Sequence, residues 1–222
     1  MVDWQSERQA RDERLAAGGK FAEGKMVAPD NTTALLEAVI RPGDRICLEG
    51  DNQKQADFLA ACLAKADPKV LHDLHVVQSG IVLPEHIDLF EKRIAKKLDY
   101  SYSGPQGAAV ARALNSGKIQ LGAIHTYIEL FARYFVDLTP HVALTVARSA
   151  DRQGNLYMGP NTEDSPLSSK QPLLREASSS HRSMRWWTSC HGWTFRATAW
   201  ISWSYRRSLS MSSRCSPATR PV

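Results

Sequence analysis

The chain has 222 residues, four cysteines and a formal net charge of +5, and 43% of its residues are hydrophobic. This length supports one large domain or two small ones with a hydrophobic core, and four cysteines are too few for a disulfide scaffold. No apolar run reaches the length of a membrane span and the first residues are too charged for a signal peptide, so we expect a cytoplasmic protein without membrane contact.

The N-terminal residues predict two helices before the first strand. Residues 1–25 are rich in charge and indicate an exposed helix that frays at Gly18-Gly19. Residues 30–32 offer N-cap side chains for a short second helix, and a turn follows at residues 42–44. The apolar side of this second helix consists of Leu35, Leu36, Val39 and Ile40.

Strands and helices then alternate. Residues 45–49 predict a buried strand, and the helix after it is closed by Asp67-Pro68. The inward positions of that helix are Phe58, Leu59, Cys62 and Leu63. Residues 74–78 predict the next strand, and Pro84 opens another helix. Its apolar positions, at i, i+3, i+7 and i+11, are Ile87, Phe90, Ile94 and Leu98.

The alternation continues to about residue 157. The remaining predicted elements are a strand at 100–103, a helix at 108–114 closed by residues 115–117, a strand at 119–127, a short helix through Phe131 and Tyr134, a strand at 142–147, and a turn at 151–155 leading into Leu156 and Tyr157. This order predicts an α/β fold with a mainly parallel sheet and flanking helices.

Two loops at predicted strand ends are candidate binding sites, because ligands of such sheets bind at the carboxyl ends of the strands. In residues 49–55, Gly50 lets the backbone approach a ligand, and Asn52 and Gln53 offer neutral donors for a carbonyl or oxyanion. In residues 103–107, the candidates are Gly104, Pro105 and Gln106. Each loop is equally explained as a cap or turn, and the second lacks the Gly-Lys-Ser/Thr ending of a phosphate loop.

Polar residues at another strand end give a third candidate. His125, Tyr127 and Glu129 form either a polar cluster in a cleft or a plain sheet edge. We expect no metal site, because no Cys or carboxylate cluster accompanies the histidines that invite one, which are His72, His75, His86 and His125. Cys47 and Cys62 fall on apolar faces and are predicted core residues.

The net charge is unevenly distributed. Residues 167–222 carry a net charge of +8, fourteen serines and five of the six tryptophans, whereas residues 1–166 carry a net charge of −3. The tail shows no sustained helical or strand period, yet disordered tails are normally poor in aromatic residues. We therefore assign residues 1–25 to a charged N-terminal helix, 26–166 to the α/β domain, and 167–222 to an aberrant, disordered basic tail.

Four strings in the body resemble the alpha subunit of biotin-independent malonate decarboxylase. They are residues 49–59 (EGDNQKQADFL), 122–130 (GAIHTYIEL), 135–140 (FVDLTP) and 151–164 (DRQGNLYMGPNTED). The wider pattern over residues 142–157 resembles family I coenzyme A transferases. The resemblance covers about residues 10–166 and implies the first, incomplete domain of a coenzyme A transferase-like fold.

The resemblance also implies an activity. Such a subunit is an acyl-carrier-protein (ACP) transferase, which converts acetyl-ACP and malonate to malonyl-ACP and acetate. Its partners are the carrier subunit and the decarboxylase subunits, and it binds no cofactor directly but acts on the carrier's dephospho-coenzyme-A-derived prosthetic group. The family's glutamate nucleophile is expected in a C-terminal half that this chain lacks, so we name no catalytic residue and expect an inactive fragment.

The tail has two further interpretations. Codons can be chosen for the residues from Ser169 on so that the frame starting one base earlier encodes text that resembles the body and the family's continuation, so we predict a frameshift near Leu167 that resequencing would reveal. The alternative is a nucleic-acid-binding tail in which tryptophan and arginine alternate, but the body shows no matching basic groove. A third hypothesis concerns the body of the chain and not the tail: a carrier- or coenzyme-A-binding module without turnover.

Overall fold

Strands and helices alternate in a computed structural model that describes residues 4–24, 26–49, 56–147, 149–150, 156–157, 185–190 and 193–201. The helices are α1 (Trp4–Gly19), α2 (Thr32–Val39), α3 (Asp57–Leu63), α4 (Pro84–Glu91), α5 (Gly107–Asn115) and α6 (Tyr127–Val136). The strands are β1 (Ala22–Glu23), β2 (Met26–Val27), β3 (Arg45–Leu48), β4 (Leu74–Gly80), β5 (Ala95–Tyr102), β6 (Gln120–Ile124), β7 (Val142–Ala147), β8 (Ser149–Ala150), β9 (Leu156–Tyr157), β10 (Arg185–Cys190) and β11 (Trp193–Ile201). Among these described helices, none has both the length and the hydropathy needed to cross a membrane.

Most of the strands lie in one sheet with the order β1-β2-β10-β11-β7-β3-β4-β5-β6. Strands β7, β3, β4, β5 and β6 are neighbours in this order, and each pairs in parallel with the next. Their carboxyl ends therefore meet at one edge of the sheet, which confirms the predicted parallel α/β architecture.

Helices cover both faces of the parallel strands. The larger core packs α2, α3, α4 and α5 against one face, through residues such as Leu36, Leu63 and Phe90. A smaller cluster beneath α6 covers the other face and consists of Cys47, Val77, Leu130, Tyr134, Leu138 and Ala143. Successive strand side chains point to opposite faces, which is why Ile46 joins the larger core while Cys47 joins the smaller one.

The predicted helix through Leu98 is wrong in its second half. Helix α4 ends at Glu91, and Arg93 adopts a left-handed φ of 63°, after which the chain enters β5 at Ala95. The amide of Ile94 donates to the Leu89 carbonyl over 2.9 Å, which closes the helix end. Leu98 is a buried residue of β5, but its spacing from Ile87 also fits the helical period. Spacing alone therefore could not distinguish the strand from a longer helix.

Two other elements are shorter than predicted. Helix α3 ends at Leu63, before Asp67-Pro68, because its last turn tightens into a bond from the Ala66 amide to the Leu63 carbonyl. Strand β6 ends at Ile124 because Thr126 already caps the next helix, so Tyr127 belongs to α6. Both cysteines predicted in the core, Cys47 and Cys62, are buried.

Two stretches of the basic segment lie in the sheet beside β7. Strand β11 pairs antiparallel with β7, from Arg196↔Ala147 to Ile201↔Val142, and β10 pairs with β11. The disorder assigned to residues 167–222 as a whole stays a prediction. The domain boundaries and the out-of-frame origin of residues 167–222 stay predictions. The predicted turn at 151–155 lies outside the described residues, and β8 and β9 on its two sides pair antiparallel.

Candidate functional site

The predicted Gly104–Gln106 loop lies at the carboxyl end of β5. It forms a 3-10 turn that leads into α5, and Gly104 adopts a φ of 46°, a backbone region that favours glycine. The Gln106 side chain donates from Nε2 to the carbonyl of Val82 over 3.4 Å. Val82 lies in the segment between β4 and α4, so the turn joins the carboxyl ends of two neighbouring strands.

The other predicted loop lies partly outside the described residues. Gly50, Asn52 and Gln53 belong to that undescribed part, but both ends of the loop are defined. The amide of Ala56 donates to the Glu49 carbonyl over 3.0 Å, and the Val146 amide donates to Glu49 Oε2 over 2.6 Å. Glu49, which sequence reasoning did not single out, thus anchors the start and end of this loop at the carboxyl ends of β3 and β7.

A buried carboxylate on β5 bridges two histidines beneath the α6 side of the sheet. Asp99 Oδ2 lies 2.6 Å from His75 Nε2, and Asp99 Oδ1 lies 2.7 Å from His125 Nε2. Arg45 on β3 donates from Nε to His75 Nδ1 over 3.3 Å. The network therefore crosses three neighbouring strands, β3, β4 and β5, and reaches His125 just after β6.

The pKa values of Asp99 and His75 are both lowered, which favours the charged form of Asp99 and the neutral form of His75. Burial raises the pKa of Asp99, but hydrogen bonds from His75 and His125 outweigh it and hold that pKa at about 2. Burial lowers the pKa of His75, and this exceeds the opposing effect of Asp99. We infer that Asp99 is ionised and His75 neutral near neutral pH.

Gly122 makes room for the Asp99 carboxylate. A Cβ atom at Gly122 would lie 1.8 Å from Asp99 Oδ2 and 2.5 Å from Asp99 Cγ. These separations are far below van der Waals contact, so only glycine fits at this position of β6 while Asp99 keeps its place. Gly122 belongs to the GAIHTYIEL string, but nothing in the sequence alone indicates that Asp99 lies against it.

The structure brings His125 and Glu129 together. The His125 side chain is fully buried, and its Nδ1 lies 3.1 Å from Oε1 of Glu129, which is one helical turn away and 47% exposed. Arg133 NH1 lies 3.7 Å from the same Glu129 oxygen. His125 precedes α6 and Glu129 lies in its first turn, on one face of the sheet, whereas Gly104–Gln106 leads into α5 on the opposite face.

A second buried polar pair, Gln78 and His86, lies on the α5 side. Gln78 Nε2 donates to the Gly80 carbonyl over 2.5 Å and lies 3.0 Å from His86 Nδ1. Burial lowers the pKa of His86 to about 4. Both side chains help to hold the start of the β4–α4 segment, which contacts Gln106.

The buried state of His86 predicts a pH-dependent stability. The pKa of His86 is about 4 in the folded chain, below the reference value of 6.5. As the pH falls from 6.5 to about 4, His86 therefore binds a proton in the unfolded chain before it does so in the folded chain. The contribution is fully present above pH 6.5, and we expect the free energy of unfolding to fall by about 2 kcal/mol between pH 7 and pH 5. Urea denaturation at both pH values measures this. His86→Gln is expected to remove this fall in the free energy of unfolding between pH 7 and pH 5, whereas His72→Gln, at an exposed position, is expected to keep it. An unchanged fall in His86→Gln would contradict the assignment of the pH dependence to His86.

The histidines of the described residues have other contacts than shared metal ligation. Within the part of the chain that the structure describes, no group of three His, Cys, Asp or Glu side chains is placed to hold a metal ion. His72 is exposed beside Asp73, and His75 is directed to Asp99.

The parallel sheet, the helices on both faces and the polar groups at the carboxyl edge define a coenzyme A transferase-like α/β domain. A family model described as malonate decarboxylase, alpha subunit, transporter matches residues 3–177. The chain belongs to this malonate decarboxylase alpha subunit family. The matched region extends beyond residue 166, where we placed the end of the domain.

Relatives in the same family agree. The chain is 55% identical over 174 residues to an acetyl-S-ACP:malonate ACP transferase of Malonomonas rubra, covering 78% of this chain and 31% of the relative. It is similar to a malonate decarboxylase alpha subunit from Acinetobacter baumannii, with 46% identity, a TM-score of 0.74, and coverage of 76% and 31%. It is also similar to a chain of a Pseudomonas malonate decarboxylase hetero-tetramer in complex with malonate, with 49% identity, a TM-score of 0.75, and coverage of 78% and 32%. The chain thus spans about a third of the length of these relatives.

Proposed function

We propose that the chain supplies the first domain of an ACP transferase, which moves the carrier thioester from acetate to malonate. The observation that carries this proposal is the 55% identity over 174 residues to an acetyl-S-ACP:malonate ACP transferase. The reaction is the attack of a carboxylate on a thioester, which requires donors for the developing oxyanion and room for the thiol arm of the carrier. The loops at the carboxyl edge, with Gln106 and the half-exposed Glu129, are suited to line such a cleft.

The proposal extends to partners and location. We propose that the domain acts on the dephospho-coenzyme-A-derived group of a carrier subunit, binds no cofactor directly, and works with decarboxylase subunits in the cytoplasm. The hetero-tetrameric Pseudomonas relative supports assembly with other subunits. The similarity to a transferase does not favour the nucleic-acid alternative. A binding module without turnover stays open for a chain of this coverage.

A chimeric enzyme tests the transferase proposal. Residues 3–177 replace the matched segment of the Malonomonas rubra relative, and mass spectrometry follows malonyl-ACP formation from acetyl-ACP and malonate. We expect turnover by the chimera, because the exchanged segments are 55% identical over 174 residues. A folded chimera that binds the carrier without forming malonyl-ACP would favour the binding-module alternative and overturn the proposed transfer.

A further inference from the structure

We propose that His125 and Glu129 share one proton at the carboxyl edge of the sheet, that Asp99 is the residue that positions them, and that Glu129 delivers the proton to the carrier sulfur as the thioester breaks. The proton sharing is a property of this chain. The delivery step rests on the proposed transferase function.

The hydrogen bonds of Asp99 determine which imidazole nitrogens carry protons. An ionised carboxylate only accepts hydrogen bonds, and both of its oxygens face a histidine Nε2, at 2.6 Å for His75 and 2.7 Å for His125. Both Nε2 atoms therefore carry protons. His75 Nδ1 accepts from Arg45 Nε, so His75 is a neutral imidazole whose two nitrogens are both satisfied.

His125 differs from His75 at its second nitrogen. Its Nδ1 is buried and makes no hydrogen bond in the structure, although Oε1 of Glu129 lies 3.1 Å from it. A neutral Nδ1 and an ionised carboxylate are both acceptors, and placing them side by side would leave a buried nitrogen unsatisfied. One proton between the two atoms removes this conflict. Asp99 on the far side of the ring and Arg133 beside Glu129 both favour its residence on His125, as an imidazolium between two carboxylates.

Helix capping alone does not account for the position of Glu129. Residues 126–129 match the capping-box pattern, and the Glu129 amide donates to Thr126 Oγ1 over 3.1 Å. In a complete box the glutamate side chain would turn back to the amide of the capping residue. The contacts that the structure shows for the Glu129 carboxylate are instead with His125 and Arg133. Glu129 is also half exposed, so it connects a buried proton with the surface at the carboxyl edge.

This arrangement supplies a general acid for a thiol leaving group. The attacking carboxylate forms a C–O bond to the acyl carbon, and the C–S bond breaks with its electron pair on sulfur. The proton leaves His125 Nδ1, passes through the Glu129 carboxylate and binds the sulfur, so a neutral thiol leaves. The thiol returns the proton when it attacks in the reverse direction. Even the cysteine thiol has an ordinary pKa of about 8.5, above neutral pH, so protonation of an alkyl thiol during bond cleavage assists the reaction near neutral pH.

Nuclear magnetic resonance of the whole chain labelled with ¹⁵N-histidine tests the shared proton. We expect His125 to show two protonated nitrogens at neutral pH, and Glu129→Gln to show a proton on Nε2 alone. Glu85→Gln is the matched control, because Glu85 is also an acidic residue in the first turn of a helix, α4. Asp99→Asn is expected to remove the fixed Nε2 protonation. A wild-type His125 with one proton, or an unchanged His125 spectrum in Glu129→Gln, would overturn the proposal.

A leaving-group comparison tests the delivery step in the chimera. With an alkyl thioester we expect Glu129→Gln to lower kcat about a hundredfold, and with an aryl thioester, whose thiolate leaves without a proton, we expect a loss of at most a few fold. Equal losses with both thioesters would overturn proton delivery by Glu129. A wild-type chimera without turnover would instead refute the transferase function, and the resonance experiment would still decide whether the proton is shared.

Discussion

Gly122→Ala is expected to lower the free energy of unfolding of the chain by about 3 kcal/mol, at the upper end of the usual cost of overpacking. The added methyl group would lie 1.8 Å from Asp99 Oδ2. Asp99 cannot retreat freely, because both of its oxygens are held by buried histidines. Chemical denaturation measures the loss, and the ¹⁵N spectrum of His125 reports whether the carboxylate has moved.

Two variants separate this clash from the general effect of replacing a glycine. Gly19→Ala is the control, since a Cβ atom there meets nothing within 4 Å, and its effect is expected to stay within about 0.5 kcal/mol. Combining Gly122→Ala with Asp99→Ala removes the group that clashes. We expect the double variant to be more stable than the sum of the single losses predicts. Additive losses would show that Gly122 has another role.

Asp44→Ala is expected to lower the free energy of unfolding by about 3–5 kcal/mol, because it removes the carboxylate that both terminal nitrogens of the buried Arg14 guanidinium contact. Arg14 NH1 and NH2 contact the two oxygens of Asp44 at 2.5 and 3.1 Å, and the Arg41 amide donates to the same carboxylate over 2.8 Å. Although burial opposes ionisation, hydrogen bonds from His141, Arg14 and Arg41 hold the pKa of Asp44 at about 2. The pair ties α1 to the turn before β3.

An exposed ion pair provides the comparison. Asp88 lies 3.9 Å from Lys92 on the surface of α4, and Asp88→Ala is expected to change the free energy of unfolding by less than about 1 kcal/mol. Replacing both buried partners, as in Arg14→Met with Asp44→Leu, is expected to recover much of the loss because no uncompensated charge remains. Equal effects of Asp44→Ala and Asp88→Ala would contradict the structural importance of the buried pair.

Periodicity and turn residues predicted most of the body. Helix α2 begins after residues 29–31 and buries Leu35, Leu36 and Val39, and Ile40 is buried directly after it. Helix α5 lies between the predicted Gly104–Gln106 loop and the turn at Gly117. These elements were predictable because their signals are local: caps, prolines, glycines and an apolar stripe all act within a few residues. The family strings then indicated the coenzyme A transferase-like fold.

Elements whose boundaries depend on the sheet were not predictable. Leu98 fits the helical spacing from Ile87, yet it lies in β5, because pairing with β4 and β6 outweighs the local period. The charged N-terminal helix was predicted, but not that Arg14 on it is buried against Asp44. An isolated arginine in a charged segment carries no local signal of burial.

The same distinction holds for the candidate site. The sequence by itself determined the alternation of strands and helices, the family, and the loops at the strand ends that include Gly104–Gln106, His125 and Glu129. Only the tertiary structure placed Asp99 between His75 and His125 with Gly122 beside it, since these residues lie on three different strands and on the segment after β6. Such contacts depend on strand order and register, which long-range packing sets and local sequence does not encode.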